Sequence, residues 1–246
     1  MDYLKIRSTQ KQIRADGSRY AVPLFVTKNR KYGKVLTEKA ISIKKPILVT
    51  GAHDSGKTRW LTRLHEHAPE IWGTKNKHPP LFLDTISPLS AWVDHPALAL
   101  WWDQKQQCEQ LQDPDTARKL WKQLKQHERA EALPLYCEDT KALVFIDDTH
   151  KLSGRKLQLA RECLLASRLF VISASEEQRI PPNLRNVILR REPQIFRLDS
   201  DVSYDATKIL MWSIIAVCIM AGAWEAALVL GGLQALGTGR RAARAD

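Results

Sequence analysis

Cysteine is scarce in this sequence and forms no recognisable pattern. The four cysteines among 246 residues are far apart, with no CxxC pair and no Cys/His spacing. This pattern argues against a zinc site and against a disulfide framework, and it indicates reduced, buried thiols. The opening residues 1–13 also lack the apolar run of a secretory signal, because charged and amide side chains occur throughout them. We therefore expect the N-terminal part to stay in the cytoplasm.

Acidic residues are few near the N-terminus, where basic residues concentrate. Residues 1–45 contain twelve Lys or Arg against three Asp or Glu, in a chain whose formal net charge is +11. Such a segment suits a polyanion, either nucleic acid or the anionic inner face of a membrane. A solvated extension without a partner is the alternative. Two β-prone runs, 20–26 and 35–43, predict a small hairpin or an edge addition to the core.

From residue 46 onward, short apolar runs alternate with helical patterns. Predicted strands lie at 46–50, 81–84, 142–146 and 169–172, and predicted helices at 57–67, 116–132 and 153–167. Apolar strands that alternate with helices imply a parallel sheet covered on both faces. We predict an α/β fold with a three-layer core at 46–200, preceded by the basic β extension at 1–45.

A glycine-rich loop follows the first of these strands and opens the first helix. It consists of Gly51, Ala52, His53, Asp54, Ser55, Gly56, Lys57 and Thr58, and it matches GxxxxGK[ST] at every fixed position. The glycines allow backbone N–H groups at the helix N-terminus to wrap phosphates. Lys57 is expected to reach the β- and γ-phosphates of ATP, and Thr58 to bind Mg²⁺. The loop thus predicts an ATP-binding P-loop.

Two carboxylates, Asp147 and Asp148, follow the apolar strand at 142–146. The run 143–148 resembles a Walker B motif, whose carboxylate stands at the edge of an α/β sheet where ligands bind. The resemblance implies that Asp147 holds Mg²⁺ through water. Asp148 stands where many such ATPases have a water-activating Glu. Because Asp is one methylene shorter, either slow hydrolysis or ATP binding as a switch is expected.

The next predicted strand ends in Ser173 and Ser175. In the additional-strand (ASCE) P-loop ATPases a polar sensor residue stands here, beside the γ-phosphate, and Ser173 is the candidate. The segment 179–187 resembles the segment after the sensor strand in AAA+ ATPases, in which arginines face a neighbouring subunit's nucleotide. The resemblance implies Arg179 and Arg185 as candidate arginine fingers, and hence a homo-oligomer. Ordinary surface charges are the alternative for both.

Residues 51–175 together resemble the core of an AAA+-like ASCE ATPase. The sequence has no Arg-rich lid of a nucleotide kinase after the core, and no DxxG or NKxD motif of a translational GTPase. It departs from AAA+ proteins in one respect. The helical lid that usually follows their core is missing.

An apolar run at 209–236 takes the place of that lid, with Glu225 as its one charge. About 20 helical residues suffice to cross a hydrocarbon layer of ~30 Å. The run therefore predicts a transmembrane segment at 207–236, followed by a basic tail at 237–246; a buried core helix is the alternative. Because a P-loop domain needs cytosolic nucleotide, we expect a single-pass protein whose ATPase domain is cytoplasmic.

These expectations describe a membrane-tethered, cytoplasmic, AAA+-like ATPase in contact with inner-membrane lipid. It would use ATP and Mg²⁺ to remodel or assemble an unidentified protein partner. Two other functions stay open. One is a DNA-associated helper ATPase of a mobile element or DNA-transfer system, with DNA bound by the basic N-terminal segment. The other is a nucleotide-binding sensor or scaffold with little turnover.

Overall fold

The structure is a computed structural model that describes residues 2–13, 19–28, 35–73, 78–112, 119–198, 213–215, 217–218 and 220–222. In chain order its strands and helices are β1 (Tyr3–Ile13), β2 (Arg19–Lys28), β3 (Val35–Ala40), β4 (Ile47–Gly51), α1 (Lys57–Glu66), α2 (Ala68–Trp72), β5 (Leu81–Asp84), α3 (Leu89–Val93), α4 (Pro96–Gln112), α5 (Gln126–Thr140), β6 (Leu143–Asp147), α6 (Gly154–Ala166), β7 (Leu169–Ala174), α7 (Pro182–Arg190) and β8 (Gln194–Leu198). Short 3-10 turns occur at Trp121–Gln123, Thr149–Lys151 and Glu177–Arg179. Residues 1–200 belong to one compact unit.

Five parallel strands form the central sheet, in the order β5-β6-β7-β4-β8. β7 pairs with β4 on one side and with β6 on the other. One strand therefore separates the strand that enters the glycine-rich loop from the strand that carries the two aspartates. The prediction of an α/β fold with a parallel sheet is confirmed.

The central strands are apolar on both faces because both faces are covered. Alternate residues of a strand point to opposite sides of the sheet. On one side Val144 and Ile172 pack among the residues of α3 to α7. On the other side Phe145 and Val171 pack among the residues of α1, α2 and the N-terminal strands. A parallel sheet buried on both faces needs such continuous apolar runs, which is why they could be identified from the sequence.

The N-terminal strands β1, β2 and β3 form an antiparallel sheet separate from the central one. The predicted hairpin is present, with Leu24 opposite Ala40, and the structure adds β1 to it. Leu4 is only 2% exposed and belongs to the same apolar cluster as Trp60 of α1. The Phe25 ring lies 5.8 Å from the Trp60 ring, centroid to centroid. This small sheet therefore shares a hydrophobic core with the central sheet.

Two basic side chains of the N-terminal sheet have acidic partners within the sheet itself. Lys5 Nζ lies 3.0 Å from Glu38 Oε1, and Arg7 Nη2 lies 2.8 Å from Glu38 Oε2. Exposed ion pairs of this kind add little stability, but they reduce the positive charge that these two residues present. Contact of the basic segment with a polyanion stays a prediction.

The helix predicted at 116–132 is wrong in its bounds. Trp121–Gln123 form a 3-10 turn, and the α-helix begins at Gln126. The Glu128 carboxylate accepts a hydrogen bond of 2.6 Å from the Lys125 N–H, which satisfies a free donor at the start of the helix. Trp121 and Leu124 are nevertheless buried. Their apolar spacing arises from packing on the core and not from one continuous helix.

The apolar segment predicted to span a membrane at 207–236 lies mostly outside the described residues, and the tail at 237–246 lies outside them altogether. Within the part of the chain that the structure describes, no helix combines the length and hydropathy that a membrane crossing requires. The span stays a prediction.

We predict that Leu4→Ala lowers the free energy of unfolding by about 2–5 kcal/mol, because it removes buried methyl groups from a shared core. Urea denaturation followed by circular dichroism measures this change. Lys39→Ala, on an exposed position of β3, should leave the midpoint unchanged. Equal midpoints for Leu4→Ala and the parent protein would show that the N-terminal sheet does not unfold with the core.

Candidate functional site

The glycine-rich loop connects the end of β4 to the start of α1, and its two glycines are favoured for different reasons. Gly56 has φ +86° and Asp54 has φ +61°, so the loop passes twice through the left-handed region that favours glycine. Gly51 is restricted by space, since a Cβ atom there would lie 2.5 Å from the carbonyl oxygen of Leu198. The loop therefore turns sharply into the N-terminus of α1, at Lys57.

Lys57 closes this loop on itself. Its side chain is buried, and Nζ donates a hydrogen bond of 2.7 Å to the Ala52 carbonyl oxygen. Burial lowers the pKa of Lys57, while the charges of Asp148 and Asp147 act in the opposite direction. In the same loop Ser55 Oγ is buried and has no hydrogen-bond partner among the described atoms. The loop thus holds a buried cation and an unused hydroxyl, both suited to an anion.

The loop and the second aspartate line one pocket of about 350 Å³. His53, Asp54 and Gly56 line it on the loop side, with Lys57, Thr58 and Arg59 from α1 and Asp148 from the end of β6. His53 and Asp54 are exposed and lie 3.1 Å apart, from Nδ1 to Oδ2. The pocket brings together the two motifs that the sequence singled out, which are separated by about 90 residues. It also receives the N-terminus of α1, whose free N–H groups favour anions.

Asp147 is buried at the end of β6 and is held through one oxygen. Ser173 Oγ on β7 donates a hydrogen bond to Asp147 Oδ1. The Asp148 N–H donates to the same Oδ1 at 3.1 Å and to Ser173 Oγ at 2.8 Å. Ser173 is thereby tied to both aspartates, and its proton points to Asp147. Contact of Ser173 with a γ-phosphate stays a prediction.

Asp148 has a backbone conformation unusual for a side-chain-bearing residue, with φ +52°. Asp and Asn tolerate this region better than most residues. The turn directs its carboxylate to Lys151, whose Nζ lies 2.6 Å from Asp148 Oδ2. Thus the residue that replaces the expected Glu has an ion-pair partner within its own turn.

Two further polar residues at this edge escaped the sequence analysis. Asp84 ends β5 and stands opposite Asp147 in the β5–β6 register. Its carboxylate accepts hydrogen bonds from Ser87 Oγ at 2.6 Å and from the Ile86 N–H at 3.0 Å. An acidic residue at the end of a predicted parallel strand was the available signal, because such ends meet at one edge.

His150 is the second of these residues. Its Nδ1 accepts a hydrogen bond of 3.3 Å from the Ser175 N–H, which requires the proton of a neutral ring to be on Nε2. Burial lowers the pKa of His150 below its ordinary value, although the charge of Asp148 opposes the change. The neutral ring thus links the turn after β6 to the end of β7. No sequence pattern indicated this contact.

A second, larger cleft of about 700 Å³ adjoins the start of the loop. Gly51 and Ala52 line it together with Ser175, Arg185 of α7 and Arg197 of β8. Arg185 therefore lies beside the loop of its own chain. Arg179, the other candidate finger, is exposed on a 3-10 turn, with Nε 3.3 Å from Glu176 Oε2.

Thr58 and Asp147 are the residues that could hold a magnesium ion of the kind that is bound together with phosphates. Such an ion takes one or two carboxylates and completes its shell with phosphate oxygens and water. Asp147 has one carboxylate oxygen without a hydrogen-bond partner in the described structure, and Thr58 presents an exposed side chain at the start of α1. Among the described residues no group of three or more His, Cys, Asp or Glu forms an all-protein metal site.

No protein-family model matches the sequence, and no curated protein matches it. Solved structures with a similar fold include AMPPCP-bound DnaA from Aquifex aeolicus, with 15% identity over 65% of this chain and 42% of its own, at a TM-score of 0.36. Cdc6p from Pyrobaculum aerophilum has 16% identity over 62% of this chain and 38% of its own, at a TM-score of 0.35. EccC (ATPases 2 and 3) from Thermomonospora curvata has 12% identity over 72% of this chain and 35% of its own, at a TM-score of 0.37. The chain spans less than half of each of these proteins, and TM-scores of this size identify no function.

We predict that Ser173→Ala lowers the free energy of unfolding by about 1–3 kcal/mol. The substitution removes the hydroxyl that donates to buried Asp147 and leaves a buried acceptor with one partner fewer. Thermal unfolding by calorimetry measures the change. Ser90→Ala, at an exposed position of α3, is the control. A Ser173→Ala protein as stable as the parent would contradict the role of this hydroxyl in joining β6 to β7.

Proposed function

We propose that this protein binds and hydrolyses ATP, and that it does so as a cytoplasmic domain tethered to a membrane. The observation that carries the proposal is the 350 Å³ pocket, because Lys57, the N-terminus of α1 and Asp148 all line it. A buried ammonium and free helix N–H groups favour a bound polyphosphate. The Asp148 carboxylate lines the same pocket, and it is our candidate for the group that acts on the water attacking the terminal phosphate.

In this proposal Lys57 exchanges partners when the nucleotide binds. Its Nζ leaves the Ala52 carbonyl oxygen and donates to the β- and γ-phosphate oxygens. The Thr58 hydroxyl, and Asp147 through water, would hold Mg²⁺, which would neutralise charge on the phosphates. Arg185 and Arg197 line the second cleft beside the start of the same loop, and we propose that they meet the nucleotide from within the chain.

Asp148 is proposed to orient the attacking water and to accept its proton. Ser173 keeps the two aspartates in register through its bonds to Asp147 and to the Asp148 N–H. Arg179, exposed on its turn, is proposed to reach the nucleotide of a neighbouring copy in a homo-oligomer. Hydrolysis would then depend on assembly, which is the step that the protein would couple to an unidentified partner.

We predict that Lys57→Ala weakens ATP binding by about 10- to 100-fold, since a charge-assisted hydrogen bond in a partly buried site is lost. Equilibrium dialysis with labelled ATP measures the affinity. Lys44→Ala, an exposed lysine just before β4, is the matched control and should bind like the parent. Unchanged affinity in Lys57→Ala would reject the phosphate site.

Membrane tethering is proposed on the apolar run at 209–236. About 20 such residues can satisfy their own backbone hydrogen bonds inside lipid as a helix. We predict that truncation after Ser203 releases the protein into the soluble fraction while ATP binding is kept, because Lys57, Thr58 and Asp147 all precede the cut. Extraction of the full-length protein from membranes by alkaline carbonate would contradict the tether.

A further inference from the structure

Lys151 lies in the short turn that begins at Asp148. Its backbone N–H donates to the Asp148 carbonyl oxygen at 2.8 Å, and its side chain returns to the same residue, with Nζ 2.6 Å from Oδ2. The left-handed conformation of Asp148 makes this return possible, because it starts a tight turn directly at the end of β6. The ion pair is therefore built by local backbone geometry and does not depend on a distant contact.

The surroundings of the Lys151 ammonium are acidic. The hydrogen bond to Asp148 raises the pKa of Lys151 above its ordinary value; burial opposes this change, and the charges of Asp148, Asp147 and Asp84 add to it. These three carboxylates end neighbouring parallel strands or follow them directly. Like charges at one edge repel one another unless a cation is near. Lys151 supplies such a cation from within the chain.

This position conflicts with the work proposed for Asp148. The Asp148 side chain is only 17% exposed, and one of its two oxygens accepts a hydrogen bond from the ammonium. The oxygen that accepts from the ammonium is occupied and is not available to accept a hydrogen bond from water. In the proposed function Asp148 therefore has to release Lys151 before both of its oxygens can act on the attacking water.

We propose that Lys151 is an internal counter-ion that restrains Asp148 and keeps the basal rate of ATP hydrolysis low. The inference rests on the proposed function, in which Asp148 acts on the attacking water. It makes Lys151 a positioning residue that acts through Asp148. The low rate expected from an Asp in place of Glu then has a second cause, which a single substitution can remove.

The test compares kcat for Lys151→Met with that of the parent at saturating ATP and Mg²⁺. The expected result is a rise of roughly 3- to 10-fold, as suits the loss of one partly exposed ion pair. Lys151→Arg keeps the cation and should keep the low rate. Lys119→Met breaks a comparable ion pair, with Glu128 at 2.8 Å, outside the candidate site, and it should leave kcat unchanged.

Two further measurements decide between restraint and a merely structural role. The double variant Lys151→Met with Asp148→Asn should lose the gain, because the freed residue is no longer a carboxylate. Without nucleotide, Mn²⁺ titrated by electron paramagnetic resonance should bind Lys151→Met more tightly than the parent, since a positive charge has left the acidic edge. A kcat that is unchanged or lower in Lys151→Met, or a gain that survives Asp148→Asn, overturns the proposal.

Failure of the proposed function gives a different result. In that case the parent and every variant hydrolyse ATP no faster than Lys57→Ala. The Mn²⁺ titration then tests only the effect of Lys151 on the acidic edge. Equal Mn²⁺ affinities for the parent and Lys151→Met would show that its ammonium does not neutralise this edge.

Discussion

The pairing of β7 with both β4 and β6 is the constraint on which the candidate site depends. Because the three strands are parallel, their carboxyl ends lie at one edge of the sheet. The glycine-rich loop after Gly51 therefore meets the aspartates after β6, although about 90 residues separate them. Ser173, on the strand between, is the side chain that bonds to both aspartates. Without β7 between β4 and β6, no residue would stand where Ser173 stands.

The charged side chains of the candidate site have hydrogen-bond partners within the chain. Lys57 is buried and gives its hydrogen bond to Ala52, Asp147 is buried and receives bonds from a hydroxyl and an N–H, and Asp148 is paired with Lys151. Buried charges are tolerated when such partners are present. Each of these bonds is local to the loop, the turn or the adjacent strand. In the proposed function a polyphosphate would replace the Ala52 carbonyl oxygen as the partner of Lys57, while Asp147 would keep its bonds to Ser173 and to the Asp148 N–H.

Much of the core could be predicted from the sequence because its signals are local. An apolar run that ends in a Gly-rich loop, or in a pair of aspartates such as Asp147 and Asp148, indicates the end of a buried strand without any knowledge of tertiary contacts. The strand β1 could not be predicted, since its residues are largely polar and its burial rests on Leu4 packing near Trp60. The start of α5 depends on the single Glu128 bond to Lys125. The hydrogen bond of the Asp148 N–H to Ser173 and the position of Arg185 beside the loop are tertiary contacts, which no spacing in the sequence encodes.

A structure of the protein with a non-hydrolysable ATP analogue and Mn²⁺ tests the central claim most directly. The account predicts that Lys57 Nζ has left the Ala52 carbonyl oxygen and lies about 3 Å from a phosphate oxygen. It also predicts anomalous density for Mn²⁺ between Thr58 and Asp147. An analogue bound elsewhere, with Lys57 still hydrogen-bonded to Ala52, would contradict it.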